Sequence, residues 1–209
     1  MWSSVMHFFN AGIVAILIKG GVVMIPLLAL SLISLTVIIE RLCYWRSLRR
    51  QDVGATVLAL VADGHFEDAI RVASRSRHPV ARVLHAGLMD KGHAPGTAME
   101  AAAQAELPPS RRYLPVLDTS ITLAPLLGLL GTITGMISAF GVVAEAGLGQ
   151  PHAITGGIAE ALIATATGLF IAIMTLVPYN YFLAKTAQLT DGIEEQATRL
   201  ELLLARREG

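Results

Sequence analysis

"TSITLAPLLGLLGTITGMISAF" (119–140) is the stretch that decides the fold. The apolar segment around it runs from Thr119 to Ala144 without a charged residue, and a helix needs about 20 apolar residues to cross the hydrocarbon core of a bilayer. Hydrophobic residues make up 54% of the chain and charged residues only 15%, against about 25% charged residues in a typical soluble domain. The segment is therefore predicted to be a membrane-spanning helix.

Two further segments have the same character. One runs from Gly20 to Ile39, and the other reads "GGIAEALIATATGLFIAIMTLVPYNYF" (156–182). Neither shows the strict alternation of polar and apolar residues that a membrane β-barrel strand needs. We therefore predict an all-α integral membrane protein with three transmembrane helices, a helical cytoplasmic loop and a C-terminal cytoplasmic helix.

The whole chain, residues 1–209, is predicted to be a single membrane domain. Its predicted parts are spans at about 18–42, 117–144 and 155–182, a loop at 43–116 and a tail at 183–209.

The distribution of cations predicts the orientation. The loop carries Arg46, Arg49, Arg50, Arg71, Arg75, Arg77, Arg82, Lys91, Arg111 and Arg112, and the tail carries Lys185, Arg199, Arg206 and Arg207. By contrast, the segment before the first span has only Lys19, and the connection between the second and third spans has no lysine or arginine. Because cytoplasmic loops are enriched in lysine and arginine, the loop and the C-terminus are predicted to be cytoplasmic and the N-terminus periplasmic.

The loop and the tail show helical patterns. Apolar residues recur at helical spacing in 52–64 and 67–75, and "TAME" (97–100) fits a capping box that opens a third helix. Pro108 and Pro109 are expected to end that helix. The tail places an apolar stripe on one face of a helix, formed by Leu189, Ile193, Ala197, Leu200 and Leu204.

Small residues mark the second and third spans as closely packed helices. Gly128, Gly131 and Gly135 recur every three to four residues in the second span, and Gly168 lies in the third. Small residues at this spacing let helix backbones approach closely in lipid. Thr132 is a polar residue between these glycines.

Glu160 is the charged residue inside the third span. Helical arithmetic places Thr167 on the same face, whereas Thr165 lies about 140° around the helix, so Glu160 and Thr165 are predicted to contact different neighbours. A carboxylate at the centre of a span costs about 2.5–3.5 kcal/mol. Two interpretations are open: Glu160 reaches water at the outer surface, or it lines a water-filled path and binds and releases protons.

Three segments carry a resemblance to a known family. They are "GGVVMIPLLALSLISLTVIIERL" (20–42), "LAPLLGLLGTITGMISAF" (123–140) and "GGIAEALIATATGLFIAI" (156–173). In sequence, order and spacing they resemble the ExbB/TolQ/MotA family of proton-channel subunits, and ExbB and TolQ more than flagellar MotA.

The resemblance implies a homopentamer in the bacterial inner membrane whose second and third spans line a central pore. It implies a single-span partner, ExbD or TolR, that carries an essential aspartate, and a TonB-like or TolA-like protein that passes work to the outer membrane. The pore-facing threonines of the family match Thr132 and Thr165, and its third-span glutamate matches Glu160. The implied function is an ExbB-like proton channel that drives TonB-dependent transport, with a TolQ-like role in the Tol–Pal system as the alternative.

A function of a different class stays open. The chain could be a membrane scaffold that conducts nothing, because helix packing alone could explain its small residues. An enzyme is not predicted, since the sequence has no zinc-binding His/Glu pattern and no serine elbow. No cofactor and no metal are predicted.

Overall fold

The computed structural model describes residues 20–48, 53–146 and 151–208, and every regular element in these ranges is a helix. In chain order the helices are α1 (Met24–Leu48), α2 (Val53–Ala62), α3 (Phe66–Arg75), α4 (Pro79–Met89), α5 (Pro95–Glu106), α6 (Pro108–Arg111), α7 (Leu114–Ala146) and α8 (Pro151–Glu208). The predicted all-α fold is confirmed.

Three of the described helices, α1, α7 and α8, are long and apolar enough to cross a membrane. Pro125 lies inside α7 and Pro178 inside α8, and each helix continues past its proline. With 58 residues, α8 joins the third predicted span and the predicted tail helix into one element.

The chain divides into two compact units, and α1 and α8 contribute residues to both. The described part of the first, which we call the membrane unit, consists of residues 20–39, 115–146 and 151–179. The described part of the second, the loop-and-tail unit, consists of residues 40–48, 53–114 and 180–208.

In the membrane unit, α1 packs against α7 and α8 through a small apolar cluster. Its buried members are Met24, Leu27, Ala124, Ile171 and Ala172. Other apolar side chains of α1, among them Leu32 and Ile39, are more than half exposed, as expected for a helix with an unpartnered face.

The loop-and-tail unit has a larger apolar core. It buries Val57, Leu58 and Val61 of α2, Ala69 and Ala73 of α3, Val80, Val83, Leu84 and Leu88 of α4, Met99 of α5, and Leu189, Ile193, Leu200 and Leu204 of α8. The partly buried Ala197 packs against this core. The predicted tail stripe is therefore confirmed, and it is the face of α8 on which the loop helices pack.

The start of α5 differs from the prediction. The capping box at 97–100 is wrong, because α5 begins at Pro95 and Thr97 already lies inside its first turn. A proline at the first helical position loses nothing, since that N–H has no partner within the helix. The predicted end is confirmed, because α5 stops at Glu106 and the short α6 starts at Pro108.

Arg41 is a buried cation in the loop-and-tail unit that the sequence did not single out. Its side chain is 2% exposed, donates to the carboxylate of Glu40, and donates to the carbonyl oxygen of Pro109 at 2.8 Å. The rings of Tyr44 and Tyr113 lie 4.7 and 5.7 Å from its guanidinium carbon. These contacts compensate the charge and tie α1 to the end of α6.

Candidate functional site

The second and third predicted spans, α7 and α8, pack antiparallel through small residues. A methyl group at Gly128 would lie 3.0 Å from the Cα of Thr165, and one at Gly135 would lie 3.0 Å from the carbonyl oxygen of Gly157. Residues nearer the C-terminal end of α7 thus contact residues nearer the N-terminal end of α8. The spacing is too tight for side chains, so the two backbones are in direct contact.

Gly131 and Gly168 lie at even closer approaches. A methyl group at Gly131 would overlap the methyl group of Ala164, and one at Gly168 would overlap the carbonyl oxygen of Ala124. The obstacle at Gly168 is backbone, which cannot move aside as a flexible side chain can. These two glycines therefore set how closely α7 and α8 approach.

Thr165 forms a hydrogen bond between the two helices. Its hydroxyl donates to the carbonyl oxygen of Gly128 at 2.8 Å. By contrast, Thr132 donates to Leu129 at 2.6 Å and Thr167 donates to Ile163 at 2.8 Å, each within its own helix. Of the three threonines singled out from the sequence, Thr165 is the one that bridges α7 and α8.

Glu160 is half-buried, and its carboxyl group packs against Gly21, just before α1. Gly21 has φ +73°, and a methyl group there would overlap the carboxyl oxygen of Glu160. The prediction that Glu160 and Thr165 contact different neighbours is confirmed, because one reaches the start of α1 and the other reaches α7. The described part of the membrane unit contains no lysine or arginine, so Glu160 has no cationic partner there.

Gly21 was missed by the sequence reasoning, although a signal was present. Two adjacent glycines, Gly20 and Gly21, open the first apolar run, and glycine is the usual residue where the backbone needs positive φ or close approach. Such a pair does not say which side chain fills the space.

An apolar groove lies on α7 beside Thr132. It has a volume of about 540 Å³ and is lined by Thr132, Ile133, Met136, Ile137 and Phe140. Ile137 and Phe140 are more than 60% exposed. This part of α7 therefore presents a polar hydroxyl beside an apolar surface.

The chain is similar in sequence to one family of membrane proteins. The sequence profile of the MotA/TolQ/ExbB proton channel family matches residues 75–195, a range that contains Glu160, Thr132, Thr165 and Thr167. A Synechocystis protein named as biopolymer transport protein ExbB-like 1 is 39% identical over 196 residues, which cover 89% of this chain and 76% of that protein. ExbB-like 3 of the same organism is 36% identical over 194 residues, covering 90% of this chain and 92% of that protein.

A relative from the Tol–Pal system also matches. The TolQ protein of Pseudomonas aeruginosa is 36% identical over 110 residues, which cover 53% of this chain and 48% of TolQ. The chain is thus similar both to proteins named ExbB-like and to a protein named TolQ.

Proposed function

Because this chain belongs to the MotA/TolQ/ExbB proton channel family, we propose that it is the proton-channel subunit of an energy-transducing motor in the inner membrane. In this proposal the protonmotive force drives TonB-dependent transport across the outer membrane. The observation that carries it is the family match over residues 75–195, since that range contains α7, the part of α8 that packs against it and the carboxylate of Glu160.

The contact between α7 and α8 suits a fixed channel wall. Glycines at 128, 131, 135 and 168 hold the two backbones together, so neither helix can rotate against the other without large displacement. The protonmotive force supplies about 2.3 kcal/mol per charge per 100 mV, and it becomes work only where proton transfer biases an element with two states. The moving element is therefore a partner rather than this pair of helices.

We infer a homopentamer around a single-span ExbD-like or TolR-like partner that carries an aspartate in its span, with a TonB-like or TolA-like protein receiving the work. The exposed apolar groove beside Thr132 supports contact with further helices in the membrane.

Glu160, Thr132, Thr165 and Thr167 line the proton pathway in this proposal. Each threonine hydroxyl donates one hydrogen bond to a backbone carbonyl and keeps its acceptor lone pairs. Each can therefore accept a hydrogen bond from water in the pore. Glu160 supplies the ionisable group, and the absence of lysine and arginine from the described membrane unit leaves it free of a fixed ion pair.

The proposed orientation has the loop-and-tail unit in the cytoplasm and the N-terminus in the periplasm. It is supported by the positive-inside rule, together with the lack of lysine and arginine between Arg112 and Lys185.

A TolQ-like role is the second candidate, supported by the 36% identity to TolQ of Pseudomonas aeruginosa over 110 residues. The two roles separate in a host that lacks its own ExbB and TolQ and expresses this chain with its partner. Restored TonB-dependent uptake identifies the ExbB-like role, and restored detergent resistance of the envelope identifies the TolQ-like role.

The same host tests the channel itself. Glu160→Gln is expected to abolish whichever process the wild-type chain restores, whereas Glu194→Gln, at an exposed position of the tail, is expected to keep it. Full activity of Glu160→Gln would refute the proposed pathway and favour a scaffold that conducts nothing.

A further inference from the structure

The loop-and-tail unit contains a basic cavity that the proposed channel does not use. Its volume is about 590 Å³, and Arg75, Arg77 and Arg82 are among the residues that line it. Tyr44 and Ser47, from the last turns of α1, also line it, and Glu106 is the acidic residue among the lining groups.

The charges of this cavity are unequally compensated. Arg82 donates to the carboxylate of Glu106 at 2.8 Å. Within residues 20–48, 53–146 and 151–208, neither Arg75 nor Arg77 forms an ion pair with an acidic side chain. The cavity is thus lined by three arginines and one carboxylate that is already paired, so its lining carries excess positive charge.

The helix dipole of α3 explains the location of Arg75, but it does not explain that of Arg77. Arg75 lies in the last turn of α3, where a cation is stabilised by the helix dipole. Arg77 lies in the short connection after α3, at an exposed position outside any helix. The helix dipole therefore does not account for the second arginine at this cavity.

The chemistry of the lining groups selects an anion with several oxygens. A guanidinium presents a planar fork of N–H donors that matches a phosphate. The Ser47 hydroxyl already donates to the Tyr44 carbonyl oxygen at 2.7 Å, so the further donor among these lining side chains is the phenol of Tyr44. We propose that this cavity binds a phosphate-bearing anion.

Two sources of such a phosphate fit the cavity. Tyr44 and Ser47 follow the apolar segment Gly20–Ile39 closely in the sequence, and basic residues next to a span attract anionic lipid headgroups. A soluble phosphate carries the same oxygens. A lipid and a soluble phosphate therefore have to be tested separately.

The test uses the full chain, purified in an uncharged detergent. In one arm, native mass spectrometry counts the molecules of dioleoylphosphatidylglycerol retained, with dioleoylphosphatidylcholine as the zwitterionic comparison. In the other arm, inorganic phosphate and pyrophosphate are titrated while the thermal unfolding midpoint is measured. Retention of phosphatidylglycerol alone assigns the site to a lipid headgroup, and a raised midpoint with phosphate alone assigns it to a soluble anion.

Arg75→Gln/Arg77→Gln is the test variant, and Arg111→Gln/Arg206→Gln is the matched control. The control removes the same charge from exposed positions that do not line the cavity. We expect binding to fall at least about tenfold in the test variant, because two charge-assisted contacts are lost, and to stay unchanged in the control. An equal fall in both variants would overturn the proposal, as would a wild-type chain that binds neither probe.

Hydrogen exchange on the wild-type chain gives a second test that does not require the variant to fold. Hydrogen exchange in residues 75–82 and 44–48 is expected to slow when the bound probe is added. Unchanged exchange in both segments at a saturating probe concentration would overturn the site.

Discussion

Gly168 on α8 lies where α7 leaves no room for a methyl group. In Gly168→Ala the new carbon would overlap the carbonyl oxygen of Ala124 and would lie 3.1 Å from the Cα of Gly128, against about 3.5–4.0 Å for an ordinary carbon contact. Both obstacles are backbone of α7, so the overlap is relieved only if the helices separate. Overpacking of this kind costs roughly 1–3 kcal/mol. The measurement is the free energy of unfolding in mixed micelles as the fraction of denaturing detergent rises.

Gly156→Ala is the matched control, on the same helix. A methyl group at Gly156 would have no neighbouring atom within 4 Å, and replacing glycine by alanine in a helix gains about 0.5–1 kcal/mol. The same gain accompanies Gly168→Ala and cancels in the comparison, so the two variants are expected to differ by roughly 1–3 kcal/mol in free energy of unfolding. Equal stability of the two would refute the inference that Gly168 sets the approach of α7 and α8.

Three further substitutions test other contacts, and two of them have a matched control. Thr165→Val should lower the free energy of unfolding by about 0.6 kcal/mol and at most about 1.7 kcal/mol, because it removes an interhelical hydrogen bond. Thr167→Val loses a hydrogen bond within its own helix and should cost less in the same assay; the reverse order would contradict the assignment of the interhelical bond to Thr165. Leu200→Ala should lower the free energy of unfolding by about 2–5 kcal/mol, because Leu200 is fully buried. Leu202→Ala, at a side chain that is 58% exposed, should change it by less than about 0.5 kcal/mol. Thermal unfolding in detergent measures both, and similar midpoints would contradict the burial of Leu200 in the core of the loop-and-tail unit. Gly21→Ala should cost at least about 1 kcal/mol, because positive φ is unfavourable for a residue with a Cβ; an unchanged unfolding midpoint would show that this turn is not constrained.

Much of the fold was predictable because lipid and water impose simple patterns. Long apolar segments predicted three helices able to span a membrane, and these are present. The apolar stripe through Leu189 and Leu204 predicted the buried face of the tail helix, and that face is in the core. Both features are local, since they depend on which residues a single helix presents to its surroundings.

Contacts between helices were less predictable. Helical arithmetic separated Glu160 from Thr165, but it could not say that one meets Gly21 and the other meets the carbonyl oxygen of Gly128. A threonine hydroxyl can bond to its own helix equally well, as Thr167 does. The choice depends on which backbone comes close, and that is set by glycines elsewhere in the chain.

The start of α4 carries sequence signals that the prediction did not use. This helix was not predicted, although His78 accepts a hydrogen bond from the N–H of Val80 at 3.3 Å and Pro79 occupies the first helical position. Proline at that position is a recognised start signal. Its buried residues Val80, Val83, Leu84, Gly87 and Leu88 also follow helical spacing, so the sequence carried two signals for this helix.

Proton flux through reconstituted vesicles tests the central claim most directly. Vesicles that contain this chain and a single-span partner with its aspartate intact are given a pH gradient, and a pH-sensitive dye follows the interior. The proposed channel predicts flux that is lost in Glu160→Gln and kept in Glu194→Gln. Flux that is absent with the intact pair, or unchanged in Glu160→Gln, would contradict it.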